Sequence, residues 1–307
     1  MKKPSQENLS ILLTIDVEDW FQVENLKSCI PYTAWPSCEL RVEGNTRRLL
    51  DLLDSVELVP RGQGNAADSR TPKATFFVLA WIAERFPRLV KEIRDRGHEI
   101  GSHGCAHRLC SAESSRALWD DLTRSKQILE DISGERVSGF RAPSFSISET
   151  ILECIRDAGY LYDSSYNSFS LHGRYGRLTL RNRTNGHGNL MQPVQGLYEL
   201  PISNVHLGRA TVPWGGGAYF RLIPERLFRS GIHFILKSEK AYVMYLHPWE
   251  IDPGQPRVKH LPLNRKLRHY SNLGRTQQRM ADLVAAFSHC DFPSCSDYIR
   301  ARNGRVQ

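Results

Sequence analysis

The sequence predicts an α/β fold, a mostly parallel sheet curled into a distorted (β/α)7-type barrel that forms a single catalytic domain. Short apolar runs rich in β-branched and aromatic residues alternate with amphipathic stretches of helical period. Reactive side chains fall repeatedly at the ends of those runs, at Asp16, His103, Arg141, Asp163 and His247. In barrels of this kind the site lies at the carboxyl ends of the strands. With 307 residues the chain can bury a sizeable core as one unit. Residues 1–290 are expected to form the barrel and residues 291–307 a C-terminal tail.

Residues 9–17 (LSILLTIDV) read as a buried strand that delivers Asp16, Glu18 and Asp19 at its carboxyl end. Residues 45–53 fit a helix capped by Asn45, and 60–72 are rich in loop-forming residues. Residues 74–79 (ATFFVL) form a second strand. Residues 86–96 form a helix closed by Gly97, and 98–102 a third strand that leads into His103. A long amphipathic helix is predicted over 111–133 and a strand over 137–140, ending at Arg141. A helix over 148–158 closes with Gly159, and the strand beginning at 160–164 carries Asp163. Residues 165–198 are polar and glycine-rich, without an ordered reading. Then come a strand-like 197–201, a glycine-rich loop over 213–221, a helix over 224–238 and a buried strand over 241–246 that ends at His247. Residues 261–287 are helical in part.

The chain carries 41 Lys and Arg against 33 Asp and Glu, a net +8, with local clusters at 181–183 and 259–268. Such a charge favours anionic partners. No aromatic-interleaved basic stripe and no nucleic-acid motif accompanies it, so nucleic acid is excluded as a partner. The seven cysteines are irregularly spaced with no C-x-x-C, which points to a reducing compartment rather than a disulfide framework. Residues 1–10 lack an apolar h-region and no apolar stretch approaches eighteen residues, so a cytoplasmic location is expected.

Four constellations carry chemistry. In Ser102-His103-Gly104-Cys105-Ala106-His107, two imidazoles four apart share a face if the segment makes a helical turn, and can grip one divalent ion. The bland alternative is two core or surface histidines. In Asp16-Val17-Glu18-Asp19, three carboxylates crowd a strand end, costly unless a cation or an arginine offsets them; an acidic loop is the plain reading. Arg141 in Arg-Ala-Pro-Ser-Phe can hold a carboxylate through two parallel hydrogen bonds. His247 in Leu-His-Pro-Trp-Glu is placed to shuttle a proton in an apolar pocket beside Trp249. The run 214–221 (WGGGAYFR) matches no phosphate loop. It reads equally as a flexible turn or as a loop that lets backbone approach a ligand, with Trp214 and Tyr219 as flat surfaces for sugar rings.

Taken in order, TIDVED at 14–19, SHGCAH at 102–107, RAPSF at 141–145, Asp163 in YDSS and LHP at 246–248 resemble the polysaccharide deacetylase family, carbohydrate esterase family 4. DVEDWF, GGGAYFR and YLHPWEIDPGQPR look like its exosortase-linked exopolysaccharide branch. The resemblance spans roughly residues 10–250. It implies a hydrolase that removes N-acetyl groups from an N-acetylhexosamine polysaccharide or its precursor. It also implies a divalent metal, Zn with Fe, Co or Ni as substitutes. Peripheral association with membrane-bound export machinery would suit a basic chain of this kind.

By the same resemblance Asp16 matches the general base, His103 and His107 the metal-binding imidazoles, Arg141 the brace of Asp16, and His247 the general acid. The backbone N–H of Phe145 would meet the oxyanion and Asp163 would line the substrate pocket. The family's adjacent aspartate is replaced by Val17, which leaves Glu18 or Asp19 as the carboxylate ligand. Strand alternation favours Glu18; a chain turning out of the strand favours Asp19, an aspartate as in the family, and the reading leans to Asp19. No tryptophan follows Asp163 as the family's fourth motif requires, and the insertion at 60–72 departs from a compact connection. Two rival readings are an allantoinase-like cyclic amide hydrolase, against which both histidines count, and a non-catalytic glycan-binding component of an export complex.

Overall fold

The computed structural model describes residues 9–59, 70–169, 175, 176, 178, 189–208 and 210–303. In chain order the elements are β1 (Ser10–Val17), α1 (Val42–Ser55), β2 (Ala74–Val78), α2 (Ala80–Arg85), α3 (Pro87–Asp95), β3 (Glu99–Ser102), α4 (Ser115–Ser133), β4 (Gly139–Phe140), α5 (Glu149–Asp157) and β5 (Tyr162–Asp163). There follow β6 (Met191–Val194), β7 (Leu197–Glu199), β8 (Asn204–Leu207), β9 (Ala210–Pro213), α6 (Gly217–Leu222), α7 (Glu225–Glu239), β10 (Ala241–Leu246), α8 (Leu263–Tyr270), α9 (Leu273–Ala286) and α10 (Cys295–Asn303).

The main sheet runs β10-β1-β2-β3-β4-β5-β7-β6. All its pairings are parallel except that of β6 with β7, so seven strands share one direction. Their register makes one row across the carboxyl rim: Val17 faces Val78, Val78 faces Ser102, Ser102 faces Phe140, Phe140 faces Asp163, and Asp163 faces Glu199. The next residues after that row are Glu18, Leu79, His103, Arg141, Ser164 and Leu200. This shared step brings side chains far apart in sequence to one place.

The barrel closes through irregular backbone. Leu200 N–H donates to Asp163 O at 2.9 Å, Ser203 N–H to Val243 O at 3.2 Å, and Tyr245 N–H to Gly215 O at 2.8 Å. Segments after β7 and β9 thus fill the gap between β7 and β10. Gly215 and Gly216 make this approach possible, because a Cβ there would lie 2.7 Å from Val243 O and 2.6 Å from the Tyr245 hydroxyl respectively.

Strand alternation divides the core. Ile11, Leu13, Ile15 and Val17 pack with the helices. Leu12, Phe77, Val243 and Tyr245, on the other face, pack together with Cys295, Tyr298 and Ile299. Residues 291–303 therefore reach the lumen side of the sheet. Cys295 N–H donates to Thr75 Oγ1 at 2.9 Å and Ser296 N–H to Glu99 Oε2 at 3.0 Å, both at the amino ends of strands.

Several boundaries differ from the sequence reading. Helix α1 begins at Val42, and Asn45 sits inside it. Its capping group comes from a distance: Asp19 Oδ2 accepts from the N–H groups of Arg41 at 2.7 Å and Val42 at 3.0 Å. Helix α4 begins at Ser115, because Ser114 Oγ accepts from Ala117 N–H and fixes the start there. The expected loop over 213–221 is helical from Gly217 onward, as α6. Of the predicted insertion, 60–69 lie outside the described residues, as does the basic cluster at 181–183; the insertion's flanks are joined by Leu58 N–H donating to Arg70 O at 2.8 Å.

Candidate active site

At the carboxyl rim, Arg141 is fully buried and holds four oxygens. Its Nη1 donates to Asp16 Oδ1 at 2.8 Å and to Thr14 Oγ1 at 2.6 Å. Its Nε donates to Ser164 O at 2.8 Å and its Nη2 to Ser164 Oγ at 2.7 Å. The Phe77 ring lies 4.3 Å from the guanidinium carbon. A charge removed from water this fully persists only when paired and hydrogen-bonded. The Asp16–Arg141 pairing expected from the sequence is present, through one Asp16 oxygen rather than two.

Beside this pair stand Glu18, His103 and His107, all buried, with one potential ligand atom from each lying within 4.8 Å of the others. The 103–107 segment is not a helical turn as expected. Gly104 and His107 have φ of 75° and 50°, and this left-handed backbone folds the second imidazole back toward the first. The rings lie 5.3 Å apart. His103 Nδ1 is 2.8 Å from Arg141 O, so Nδ1 carries the hydrogen and the Nε2 lone pair is left for a ligand. Burial lowers the His103 pKa to about 4, which keeps it neutral at physiological pH. Glu18 Oε2 is buried without a hydrogen-bond partner and lies 3.5 Å from His107 Nε2. Two imidazole nitrogens and an orphaned carboxylate oxygen are the donor set of a first-row divalent cation, and the residues present fit one.

Asp19 is not part of this cluster. The chain turns after Val17, and Asp19 accepts from the N–H groups of Trp20, Arg41 and Val42. Despite those donors, burial raises its pKa to about 6. The expected preference for Asp19 over Glu18 is thus reversed by geometry, and strand alternation gave the correct face.

The other wall is built on His247. Its Nε2 lies 3.0 Å from Glu18 Oε1 and 3.9 Å from Asp16 Oδ2. Its Nδ1 lies 2.8 Å from Glu250 Oε1, and Arg221 Nε donates to Glu250 Oε2 at 2.7 Å. Burial opposes charge on His247, but Glu18 and Glu250 outweigh it and raise the pKa to about 10. Burial likewise works against ionised Glu250, yet Arg221 and His247 hold its pKa at about 2. Trp249 stacks between His247, at 5.2 Å, and His269, at 4.3 Å. Burial and then the Arg221 charge lower the His269 pKa to about 3. His269 Nε2–H donates to Gln255 Oε1 at 2.8 Å, as its neutral ring allows.

Asp16, Glu18, His103, His107, His247 and Trp249 all line one open cleft, together with Ser144, Phe145, Tyr175 and Arg268. Other predicted contacts fall elsewhere. The Phe145 ring lines the cleft, but its N–H already donates to Ala142 O at 2.9 Å, so it is not available to an oxyanion in this state. Asp163 lies behind the cleft, accepting from Ser165 Oγ at 2.8 Å and beside Glu199; burial raises the pKa of both carboxyls. Trp214 is a core residue, stacked on Phe228 at 5.7 Å with its indole N–H donating to Phe228 O. Tyr219 lies off the lining, 5.8 Å from the Arg268 guanidinium carbon.

Fold and site together define the class, a (β/α)7-type barrel with a carboxylate–imidazole cluster at its carboxyl rim. Part of the chain is similar to the polysaccharide deacetylase family. Residues 67–162 match the model described as polysaccharide deacetylase, and residues 164–299 match one described as a domain of unknown function, DUF3473. The chain is 32% identical over 118 residues to the peptidoglycan deacetylase-like protein FGM2 of Gibberella zeae, covering 38% of this chain and 31% of that protein. It is 32% identical over 99 residues to a peptidoglycan deacetylase of Helicobacter pylori, 32% of this chain and 34% of that one. The matches thus span about a third of these relatives' length. Among solved structures, a putative polysaccharide deacetylase from Mycobacterium smegmatis superposes with a TM-score of 0.61 at 19% identity, over 100% of this chain and 94% of that chain. The Xyl-CE4 domain of a multidomain xylanase from the hindgut metagenome of Trinervitermes trinervoides gives 0.51 at 12% identity, over 96% and 92%.

Proposed function

We propose that this protein hydrolyses the N-acetyl groups of an N-acetylhexosamine-containing polysaccharide or its precursor in a metal-dependent reaction, within bacterial exopolysaccharide biosynthesis. The observation that carries this reading is the convergence of Glu18, His103 and His107 within 4.8 Å, beside the Asp16–Arg141 pair and His247, in one cleft. Glu18, His103 and His107 would hold the divalent ion, zinc or else iron, cobalt or nickel, which supplies an activated water and a polarised acetyl carbonyl.

Asp16 accepts the proton of the attacking water, and Arg141, bonded to its Oδ1, holds the carboxylate in place for that task. His247, with its Nδ1–H directed to Glu250, gives the proton on Nε2 to the leaving nitrogen. The C–N bond breaks, and acetate and a free amino sugar leave. Trp249, stacked on His247, keeps that ring in one plane. The cytoplasm is the proposed compartment, and membrane-bound export machinery a proposed neighbour.

Purified protein carrying about one equivalent of divalent metal should release acetate from N-acetylated oligosaccharides, and chelation should abolish release. Metal-loaded protein that releases no acetate from any N-acetylhexosamine oligomer overturns the proposal.

A further inference from the structure

We infer that helix α8 docks this protein on an anionic lipid surface, with the mouth of the cleft beside the bilayer. Between Asp252 and Asp282 the sequence holds seven Lys or Arg residues and no Asp or Glu. Helix α8 lies inside that run. On it Leu263 and Leu267, one turn apart, are 71% and 58% exposed. Single exposed leucines are commonplace, but two on one helical face, flanked by cations, form an amphipathic surface. Among the described residues neither Arg265 nor Lys266 forms an ion pair, so their charge is left for an external anion. A polybasic segment gains near an acidic leaflet through each of its cations, while apolar side chains gain only by entering the acyl boundary. The combination therefore selects lipid over a soluble polyanion, which would leave the leucines in water.

The same helix borders the site. Arg268 and His269 line the cleft, and Arg265 Nη1 donates to O of Asn25, another lining residue, at 3.4 Å. Arg221 fixes the carboxyl end of α8 by donating to the carbonyls of Arg268, His269 and Ser271. Docking through Leu263 and Leu267 would thus hold the cleft at the height of the headgroups, where a lipid-attached glycan is presented. That last step rests on the deacetylase reading; the docking itself does not.

The test is sedimentation of the full chain with vesicles, read without turnover. Vesicles of phosphatidylglycerol and phosphatidylcholine should carry the protein down, and phosphatidylcholine alone should not. Added salt should weaken binding. Leu263→Gln with Leu267→Gln changes no charge and should lower the partition about tenfold or more. Arg265→Gln with Lys266→Gln should lower it and flatten the salt dependence. Both double variants should keep acetate release from soluble oligosaccharides, so loss of docking and loss of catalysis are separately visible. No sedimentation with anionic vesicles overturns the inference. So does undiminished binding by the leucine variant, the result expected of a surface that attracts any polyanion by charge alone.

Discussion

Glu18 and Asp19 are adjacent in sequence and serve opposite ends of the local structure. Glu18 Oε2 faces His107 at 3.5 Å without a hydrogen bond, whereas the Asp19 carboxylate accepts the first N–H groups of α1. The two should separate cleanly on mutation. Glu18→Gln should lose most bound metal and nearly all activity, with a small effect on stability. Asp19→Ala should keep its metal but lose about 1–3 kcal/mol of stability, the cost of a helix cap plus stranded buried donors. Elemental analysis and denaturant unfolding of both variants check this; metal loss in Asp19→Ala at unchanged fold would reverse the assignment.

Asp16→Asn preserves shape and removes the proposed base. Metal should stay bound and turnover should fall by about 10²–10⁴-fold. Arg141→Ala acts differently, because it takes from buried Asp16 the guanidinium bonded to its Oδ1 and opens the Ser164 contacts. A destabilisation of about 3–5 kcal/mol should accompany loss of activity. Unfolding midpoints and acetate release measured side by side distinguish the two causes.

Most of the site was legible in sequence because its members stand at the ends of apolar runs that parallel strands bring into register. Asp16, His103, His107, Arg141 and His247 were read from that pattern and share the cleft or its floor. What pattern could not show is which way a chain turns after its strand. That sets Glu18 rather than Asp19 beside the two imidazoles, draws Phe145 N–H into a turn, and places Asp163 behind the wall. Aromatic residues beside glycines suggest a sugar platform at Trp214. The glycines instead admit Tyr245 and Glu250, and Trp214 fills the core. Arg221 and Glu250 escaped notice although both sit in runs quoted for the resemblance, since nothing in the sequence pairs residues 29 positions apart. They lie in the 164–299 segment whose family has no described function, and that segment supplies His247 together with Glu250, Arg221 and Trp249 around it.

The His247 charge has a consequence for stability. Its pKa in the metal-free fold is about 10 against an ordinary 6.5, so the folded state holds the proton more tightly. The resulting stabilisation is fully present below about pH 6.5 and is lost as pH rises through about 10, with a size of a few kcal/mol at most. Metal-free protein should therefore lose stability across that window. His247→Gln should flatten the loss, and bound metal should reduce it by engaging Glu18. Urea unfolding at several pH values checks the slope; equal slopes in parent and variant would show that another group titrates.

Gly217 offers the most selective probe of the His247 support. A Cβ at that position would fall 2.0 Å from Glu250 Oε1 and 2.5 Å from its carboxyl carbon, so alanine cannot enter without moving the Glu250 carboxylate. Glu250 is buried and held by Arg221, so it yields by loosening its contact with His247 Nδ1 rather than by swinging into solvent. Gly217 touches none of the three groups that would hold the ion. Gly217→Ala should therefore retain metal, keep its oligosaccharide KM within a few-fold and lose kcat by about 10-fold or more, because an acid misplaced by an ångström protonates the leaving nitrogen poorly. Some stability should go with it, of order 1–3 kcal/mol for overpacking. Steady-state kinetics with metal analysis checks the expectation, and an unchanged kcat would mean that Glu250 does not position His247 for proton transfer.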